Sequence, residues 1–379
     1  MSSTSRTIAR GPTMPPWPPD AATRLRLAQL GCVLLGVVLI VHATFRGRYA
    51  DLDAFAYIEW YDAVRRLDWS GFVAAVGDGI YFASDQPYRF EIGFGALAYV
   101  CATAGLGTTG FFFVCALLSL APKVHAFIRY SHAPLASFAW YGSWYYLLLE
   151  MNAIRAGIAA GILLMGLRHL LVPNLARFLP YVIVASTFHV SAVVGLALFA
   201  ARLAPARGAL MLAIVGAGLV GSVSPVVELV APLARFSGKL DEYLTLLTEG
   251  QAHTTINPFN VITLSRLAML AALAYALSRT RWRPVELIGL WAMTLSLALY
   301  FAFASFPIVA GRLSELVAVF QVFAAGALLR LFTPAIVPRL FFAALLLAQF
   351  WAVTFRSRLV DVFYFTQIEW LRIPLVQVP

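Results

Sequence analysis

Long apolar segments alternate with short polar connections along most of the chain. An α-helix rises about 1.5 Å per residue, so roughly 20 apolar residues cross the hydrocarbon core of a bilayer. By this rule the pattern predicts an all-α, polytopic membrane helix bundle with about eleven transmembrane helices. The predicted spans lie at about residues 25–44, 91–105, 110–128, 134–150, 152–171, 178–200, 209–230, 259–278, 285–305, 308–329 and 338–355.

Two longer polar segments interrupt the apolar pattern, at about residues 45–90 and 232–258. Within the first segment, residues 50–67 have apolar positions at helical spacing, and they include Trp60 and Tyr61. Trp and Tyr are enriched at membrane interfaces. We therefore expect a helix in this segment that lies along the membrane surface.

The N-terminal segment differs from the rest of the chain because it is rich in proline and contains Arg6 and Arg10. Such a composition favours neither a helix nor a buried core. We predict that residues 1–23 form a disordered cytoplasmic tail. Residues 24–379 are then predicted to form a single polytopic membrane domain.

The composition excludes a water-soluble globular protein. Of the 379 residues, 61% are hydrophobic and 12% are charged, and the mean hydropathy is +0.80. The formal net charge of +10 comes mostly from arginines in short connections between apolar segments. This distribution indicates membrane topology and no nucleic-acid partner.

Basic residues concentrate on the cytoplasmic side of membrane proteins, so their positions predict the topology. A cytoplasmic N-terminus places both large loops outside the cell and the arginines at residues 279–283 inside. In the same count, however, Lys123 and Arg129 fall outside, and Arg155 falls on the inner side. A re-entrant segment at residues 91–105 would remove this conflict.

Two common kinds of functional site are not indicated. The cysteines at positions 32, 101 and 115 lie in apolar segments, so we expect neither a disulfide framework nor a metal cluster. The chain contains no P-loop, HExxH or dinucleotide-binding glycine pattern. We therefore expect no metal and no cofactor.

Lone ionisable residues within apolar segments are the strongest functional signal in this sequence. Arg155, His189 and Arg312 lie within or at the edge of such segments. A charged side chain at the bilayer centre costs about 2.5–3.5 kcal/mol on insertion scales, so such residues normally face a polar cavity. The sequence therefore predicts a polar interior within the bundle.

Several short segments, taken in chain order, resemble the EpsG family of bacterial exopolysaccharide polymerases, which belongs with the wider Wzy-type polymerases. Two positions depart from the family pattern, because Ile92 replaces a proline and Ala156 replaces a glutamine. The similar segments are RGRYADLDAFAY with Arg46 or Arg48, Asp53 and Tyr57; YRFEIGFGAL with Glu91; MNAIRAGIAAGI with Ile154, Arg155 and Ala159; ASTFHVSAVVGL with Phe188, His189, Ser191 and Ala192; and VAGRLSEL with Arg312.

The resemblance implies transfer of a polyprenyl-diphosphate-linked glycan onto a lipid-linked acceptor at the outer face of the bacterial inner membrane. The expected partners are this lipid-linked oligosaccharide, membrane lipid, and the flippase and chain-length regulator of the same pathway. Arginine donors stabilise the charge that develops on a departing diphosphate, which suits Arg155 and Arg312.

The remaining site residues follow from the same resemblance. The attacking sugar hydroxyl needs a base, and His189, Asp53 and Glu91 are the candidates. The sequence does not choose among these three residues. The candidate substrate-binding residues are Arg46, Arg48, Tyr57, Asn152 and Ser191.

Two other functions fit the same segments. Asp51 and Asp53 resemble the acidic pair of membrane glycosyltransferases that use polyprenyl-monophosphate sugars, in which the acids hold a metal or act as base. A flippase or transporter for lipid-linked oligosaccharide would also line its passage with buried Arg and His. The absence of a detectable repeat in the sequence counts against the transporter.

Each candidate residue also has a structural interpretation. Arg155 could extend to the membrane interface, and Thr187 or Ser191 could satisfy His189. Arg312 could pair with Glu315 one turn later. Asp53 and Glu91 could be a solvated loop acid or an acid in the first turn of a helix, and Tyr57 could be an interfacial anchor.

Overall fold

The computed structural model describes residues 21–46, 53–78, 81–83, 86–88, 90–222, 257–278, 281–331 and 336–353. Arg48, Asp51, most of the tail at residues 1–23 and most of the loop predicted at residues 232–258 lie outside these ranges. The described residues are predominantly helical, which agrees with the predicted all-α class.

The helices are α1 (Ala21–Thr44), α2 (Ala54–Val64), α3 (Trp69–Asp78), α4 (Ile92–Thr103), α5 (Thr108–Tyr130), α6 (Pro134–Trp140), α7 (Ile154–Met165), α8 (Arg168–Leu171), α9 (Leu175–Phe188), α10 (Gly195–Leu203), α11 (Gly208–Gly221), α12 (Val261–Leu277), α13 (Pro284–Ala302), α14 (Pro307–Ala318), α15 (Val322–Leu331) and α16 (Ile336–Trp351).

Three irregular helical elements and one hairpin complete the described fold. A π-helix (Tyr141–Asn152) continues α6, and short 3₁₀ turns precede α10 (Val190–Val194) and α15 (Val319–Gln321). Strands β1 (Tyr81–Ala83) and β2 (Gln86–Tyr88) form a small antiparallel hairpin between α3 and α4.

Four of the helical segments are long and apolar enough to cross a bilayer. They are Ala22–Thr44, Thr108–Tyr130, Pro284–Ala302 and Val309–Leu329. The π-helix with α6, together with α7, makes a fifth candidate if the bent pair is counted as one span. The membrane character of the chain is therefore confirmed, whereas the count of about eleven spans stays a prediction.

Two helix breaks lie in the middle part of the chain. The segment predicted as separate spans at 134–150 and 152–171 is one bent pair with an angle of 118° at Ala153. The span predicted at 178–200 ends as an α-helix at Phe188, and His189 has extended backbone angles, with φ −155° and ψ 112°. Both breaks bring polar residues into the protein interior.

The packing of α7 on α5 depends on two glycines one turn apart. A Cβ on Gly157 would lie 2.8 Å from the Ser119 Oγ, and a Cβ on Gly161 would lie 2.9 Å from the Ser119 carbonyl oxygen. Small residues at this spacing let two membrane helices approach closely. The close approach fixes the position of α7, which carries Arg155 near its first turn.

The helix predicted at residues 50–67 is present as α2, but its aromatic face does not lie at a membrane surface. Tyr57, Trp60 and Tyr61 are buried. Trp60 stacks on Phe94, and Tyr61 stacks on Phe111, with ring centroids 5.0 and 4.3 Å apart respectively. The predicted interfacial role is therefore wrong for these rings, because they pack against α4 and α5 inside the protein.

Candidate functional site

A cavity of about 250 Å³ lies where the interrupted helices meet. Residues from α2, the π-helix, α7, the break at His189 and α14 form its walls. The lining residues are Asp53, Tyr57, Leu148, Leu149, Asn152, Ala153, Arg155, Ala156, His189, Gly311, Arg312, Glu315 and Leu316.

Most of the residues predicted for the site come together at this cavity. Arg155, His189, Arg312 and Asp53 line it, although they belong to four separate segments of the chain. Tyr57 and Asn152, two of the predicted substrate-binding residues, also line it. The predicted polar interior is therefore present in the structure.

Arg155 is held inside the protein at the start of α7. Its guanidinium donates to the Glu91 carboxylate and, from Nε, to the Tyr57 hydroxyl at 3.3 Å. The guanidinium carbon also lies 4.7 Å from the centre of the Phe90 ring. The Arg155 side chain is 13% exposed. These contacts fix Arg155 beside the cavity, so it does not extend to the membrane interface.

Glu91 precedes α4 and connects Arg155 to His189. Its carboxylate binds Arg155, and its Oε1 lies 3.5 Å from the His189 Nδ1. Glu91 makes no side-chain cap on α4. Gly93 allows this arrangement, because a Cβ there would lie 2.8 Å from the Thr187 carbonyl oxygen. Only a glycine lets α4 approach the end of α9 this closely.

His189 faces the cavity because α9 ends one residue before it. Its N–H donates to the Ala185 carbonyl, and its carbonyl accepts from the Ala192 N–H. The Thr187 hydroxyl donates to the Val184 carbonyl. Ser191 is buried and is not part of the cavity lining. The partner that the structure gives the His189 ring is therefore the Glu91 carboxylate.

Asp53 lies just before α2 and is partly buried at the cavity. Burial raises the pKa of the Asp53 carboxyl above its ordinary value, and the positive charges of Arg155 and Arg312 oppose this rise. A carboxyl with a raised pKa is a stronger base once it is ionised.

Glu315 is bound by residues that the sequence analysis did not select. Its carboxylate accepts from both terminal nitrogens of Arg266, with contacts of 2.8 and 3.1 Å, and from the Trp144 indole N–H at 3.1 Å. The sequence suggested that Glu315 could pair with Arg312, but in the structure the cation that binds Glu315 is Arg266. Arg266 is a lone arginine within the apolar segment VITLSRLAML, and this position could have marked it as a candidate site residue.

Arg46 occupies a different place from the cavity residues. Its guanidinium donates to the carbonyls of Ala43, Glu150 and Met151, and it lies 4.5 Å from the centre of the Phe112 ring. These carbonyls include two at the end of the π-helix, next to the bend at Ala153. Arg46 thus stabilises the bend, and its predicted substrate contact stays a prediction.

The structure also bears on metal binding. Within the described ranges, no group of three or more His, Cys, Asp or Glu side chains is arranged to hold a metal ion. Asp51 of the acidic pair lies outside these ranges. The Asp53 carboxylate is instead surrounded by the positive charges of Arg155 and Arg312.

The chain matches a protein-family model over most of its length. The family model described as EpsG family matches residues 30–368, nearly the whole chain. The matched range contains every cavity-lining residue. No curated protein and no solved structure matches the chain.

Proposed function

We propose that this chain, which belongs to the EpsG family of Wzy-like polymerases, joins lipid-linked glycan repeats into a polysaccharide. The proposed donor is a glycan on a polyprenyl diphosphate, and the proposed acceptor is a hydroxyl of another lipid-linked repeat. The single observation that carries the proposal is that Arg155, Arg312 and Asp53 line one cavity within an apolar bundle.

The proposed reaction forms a bond between the acceptor hydroxyl oxygen and the anomeric carbon of the donor sugar. The bond from that carbon to the diphosphate oxygen breaks, and its electron pair leaves with the diphosphate. Arg155 and Arg312 would stabilise the negative charge that develops on the leaving group. Both guanidinium groups stay charged throughout, because arginine does not lose its proton in proteins.

The proton of the acceptor hydroxyl passes to a base, and we assign this role to Asp53. Glu91 is a weaker candidate because its carboxylate is bound to the Arg155 guanidinium and Glu91 is not among the cavity-lining residues. Glu91 instead orients Arg155, and it also lies beside His189. Asp53 lines the cavity itself and has a raised pKa.

The proposed location is the bacterial inner membrane, with the cavity reached from its outer side. A cysteine placed at Ala153 or Ala156 would test this, because both positions line the cavity. The three native cysteines are buried. We expect an impermeant thiol reagent added outside the cell to label the new cysteine. Labelling only after the cytoplasmic face is opened would contradict an outward cavity.

The activity is tested with purified protein in proteoliposomes that contain the lipid-linked repeat. We expect longer glycan to form, and the chelator EDTA to leave the rate unchanged. Movement of unchanged lipid across the bilayer would instead indicate a transporter. A strict need for a divalent cation and a monophosphate donor would indicate the other glycosyltransferase class.

A cavity-filling variant tests the site without changing any charge. Gly311 lines the cavity, and a Cβ added there meets no atom within 4 Å. Gly311→Leu should therefore fold normally and block polymerisation. Gly216 on α11 is the matched control, because it also has open space around an added Cβ and does not line the cavity. Equal activity in both variants would show that the cavity takes no part in the reaction.

A further inference from the structure

Glu315 and Asn152 line the same cavity as Arg155 and Arg312 but differ from these arginines in chemistry. Glu315 carries a carboxylate, and Asn152 has a buried amide oxygen without a hydrogen-bond partner among the residues that the structure describes. Both groups accept hydrogen bonds. A phosphate group also accepts hydrogen bonds and carries negative charge, so neither of these two groups is suited to bind it.

Glu315 is held rigidly. Arg266 binds both of its oxygens, and the Arg266 guanidinium carbon lies 5.3 Å from the centre of the Tyr145 ring. The Arg266 side chain is 3% exposed, whereas that of Glu315 is 14% exposed. The arginine therefore faces the interior, and the carboxylate retains an open side toward the cavity. Because Glu315 is partly exposed and lines the cavity, a hydroxyl donor in the cavity can approach its carboxylate.

The apolar neighbours of these acceptors are suited to a sugar ring. Leu148, Leu149 and Leu316 line the same cavity. Sugars present hydroxyl donors around a ring whose C–H groups are apolar. Fixed acceptors beside aliphatic side chains match both properties, and a buried acceptor that loses its donor is penalised.

We propose that Glu315 and Asn152 form a subsite that recognises the hydroxyl groups of a neutral glycan, with Arg266 and Trp144 as positioning residues for the Glu315 carboxylate. This inference rests on the proposed function and assigns sugar specificity to two cavity residues other than the diphosphate-binding arginines. The recognised hydroxyls belong either to the acceptor sugar or to the donor sugar.

The first test measures binding of two separate probes to the purified full-length protein. One probe is oligosaccharide released by mild acid from the polymer of wild-type cells, and the other is inorganic diphosphate. Asn152→Ala and Glu315→Gln should each weaken oligosaccharide binding about tenfold, the loss of roughly one hydrogen bond. Diphosphate binding should change less than about twofold.

Asn152→Ala and a control variant distinguish a loss of binding from a folding defect. Glu315→Gln leaves the buried Arg266 with a neutral partner, which could destabilise the protein. Asn152→Ala removes an oxygen that has no partner in the described structure, so it should fold normally. Asp62→Asn is the matched control, because Asp62 pairs with Arg65 on the exposed side of α2. It should leave the binding of both probes unchanged.

Kinetics in proteoliposomes distinguish the two sources of the hydroxyl. If the subsite holds the acceptor, the free oligosaccharide should itself be extended, and Asn152→Ala should raise the KM for it with little change in kcat. If the subsite holds the donor, the variant should raise the KM for the lipid-linked donor at saturating acceptor. Either result supports the subsite.

Failure of the inference differs from failure of the proposed function. Wild-type protein that makes polymer while both variants bind oligosaccharide normally would overturn the subsite alone. Variants that lose the binding of both probes equally would also overturn it, because Glu315 and Asn152 would then not act specifically on the sugar. Wild-type protein that makes no polymer would count against the proposed function.

Discussion

Two buried ion pairs in this protein each join a basic residue of a predicted apolar span to a glutamate. They differ in what surrounds them in the structure. Arg155–Glu91 lies beside the cavity, and Lys123–Glu150 lies between α5 and the π-helix. The Lys123 side chain is fully buried, and its ammonium binds Glu150, the Ser119 hydroxyl at 2.6 Å and the Gly157 carbonyl at 2.8 Å. These contacts use all three donors of a lysine.

Lys123 has the surroundings of a structural charge, whereas Arg155 has those of a candidate functional charge. The Glu150 carboxylate also accepts from Ser119 and Tyr141, so both members of the interior pair are enclosed by protein. Arg155 has five donors and borders an open cavity. A charge in an apolar segment therefore indicates a buried partner, and only access to a cavity indicates a substrate.

The largest effect is expected from Arg155→Ala. Removing a donor that stabilises charge in the transition state should lower the polymerisation rate about 10²–10³-fold. Arg155→Lys should recover little of this loss, because lysine lacks the planar fork of arginine. The measurement is polymer formed per folded molecule in proteoliposomes, with Asp62→Asn as control. A near-normal rate for the alanine variant would remove Arg155 from the site.

Lys123→Met is expected to act on stability and not on chemistry. It leaves the buried Glu150 charge without its cation, which should lower the free energy of unfolding by about 3–5 kcal/mol. Adding Glu150→Gln should recover most of this loss, because the amide oxygen still accepts from Ser119 and Tyr141.

Unfolding in detergent checks the stability prediction for the interior pair. The rate per folded molecule should stay at the wild-type level in the double variant. A folded Lys123→Met protein that has lost activity to the same degree as Arg155→Ala would make the two pairs equivalent, and the comparison between them would then be wrong.

A smaller effect is expected from Glu91→Gln. The change removes the charge that orients Arg155 but keeps an amide oxygen at the same place. We expect a loss of rate of about tenfold, because a charged hydrogen bond contributes roughly 1.5–3 kcal/mol and part of it is retained. The pH profile should keep its acidic limb. Disappearance of that limb in the Gln variant would transfer the role of base from Asp53 to Glu91.

The smallest expected effect is on the pH dependence of the polymerisation rate. Burial raises the pKa of Asp53, so this carboxyl takes up a proton at a higher pH than an ordinary aspartate. The ionised form is the base, and the rate should therefore fall as the pH falls through this raised pKa. Polymerisation measured at a series of pH values should show the limb in wild-type protein. Asp53→Asn should have a low rate without this limb, and an unchanged limb would exclude Asp53.

The sequence pattern predicted a boundary close to Ala153, between the spans at 134–150 and 152–171, but it did not predict the break at His189. Pro122 and Pro180 lie inside α5 and α9, and both helices continue through them. The breaks occur instead at Ala153 and His189, which have no proline or glycine signal. At Ala153, Arg46 from a distant segment satisfies the freed carbonyls. Irregular backbone is tolerated within a membrane bundle where other residues provide such hydrogen bonds.

Local spacing does not give the partners of two further charges. Glu315 lies three residues after Arg312, so a pair between these neighbours was the structural alternative from the sequence, whereas in the structure Arg266 from α12 binds Glu315. Lys123 lies in the span predicted at 110–128 and was counted as a basic residue on the outer side, but it is buried within α5 and paired with Glu150. An enclosed ion pair carries no information about loop charge, so Lys123 does not bear on the topology.

The sequence by itself determined that this protein is an apolar helical bundle with a polar interior. It also identified Arg155, His189 and Arg312 at the cavity, because an ionisable group in an apolar segment must be sheltered from lipid. Only the tertiary structure decided which charges share the cavity and which are enclosed in pairs. Electrostatic partners are set by distance in space, and segments far apart along the chain provide them.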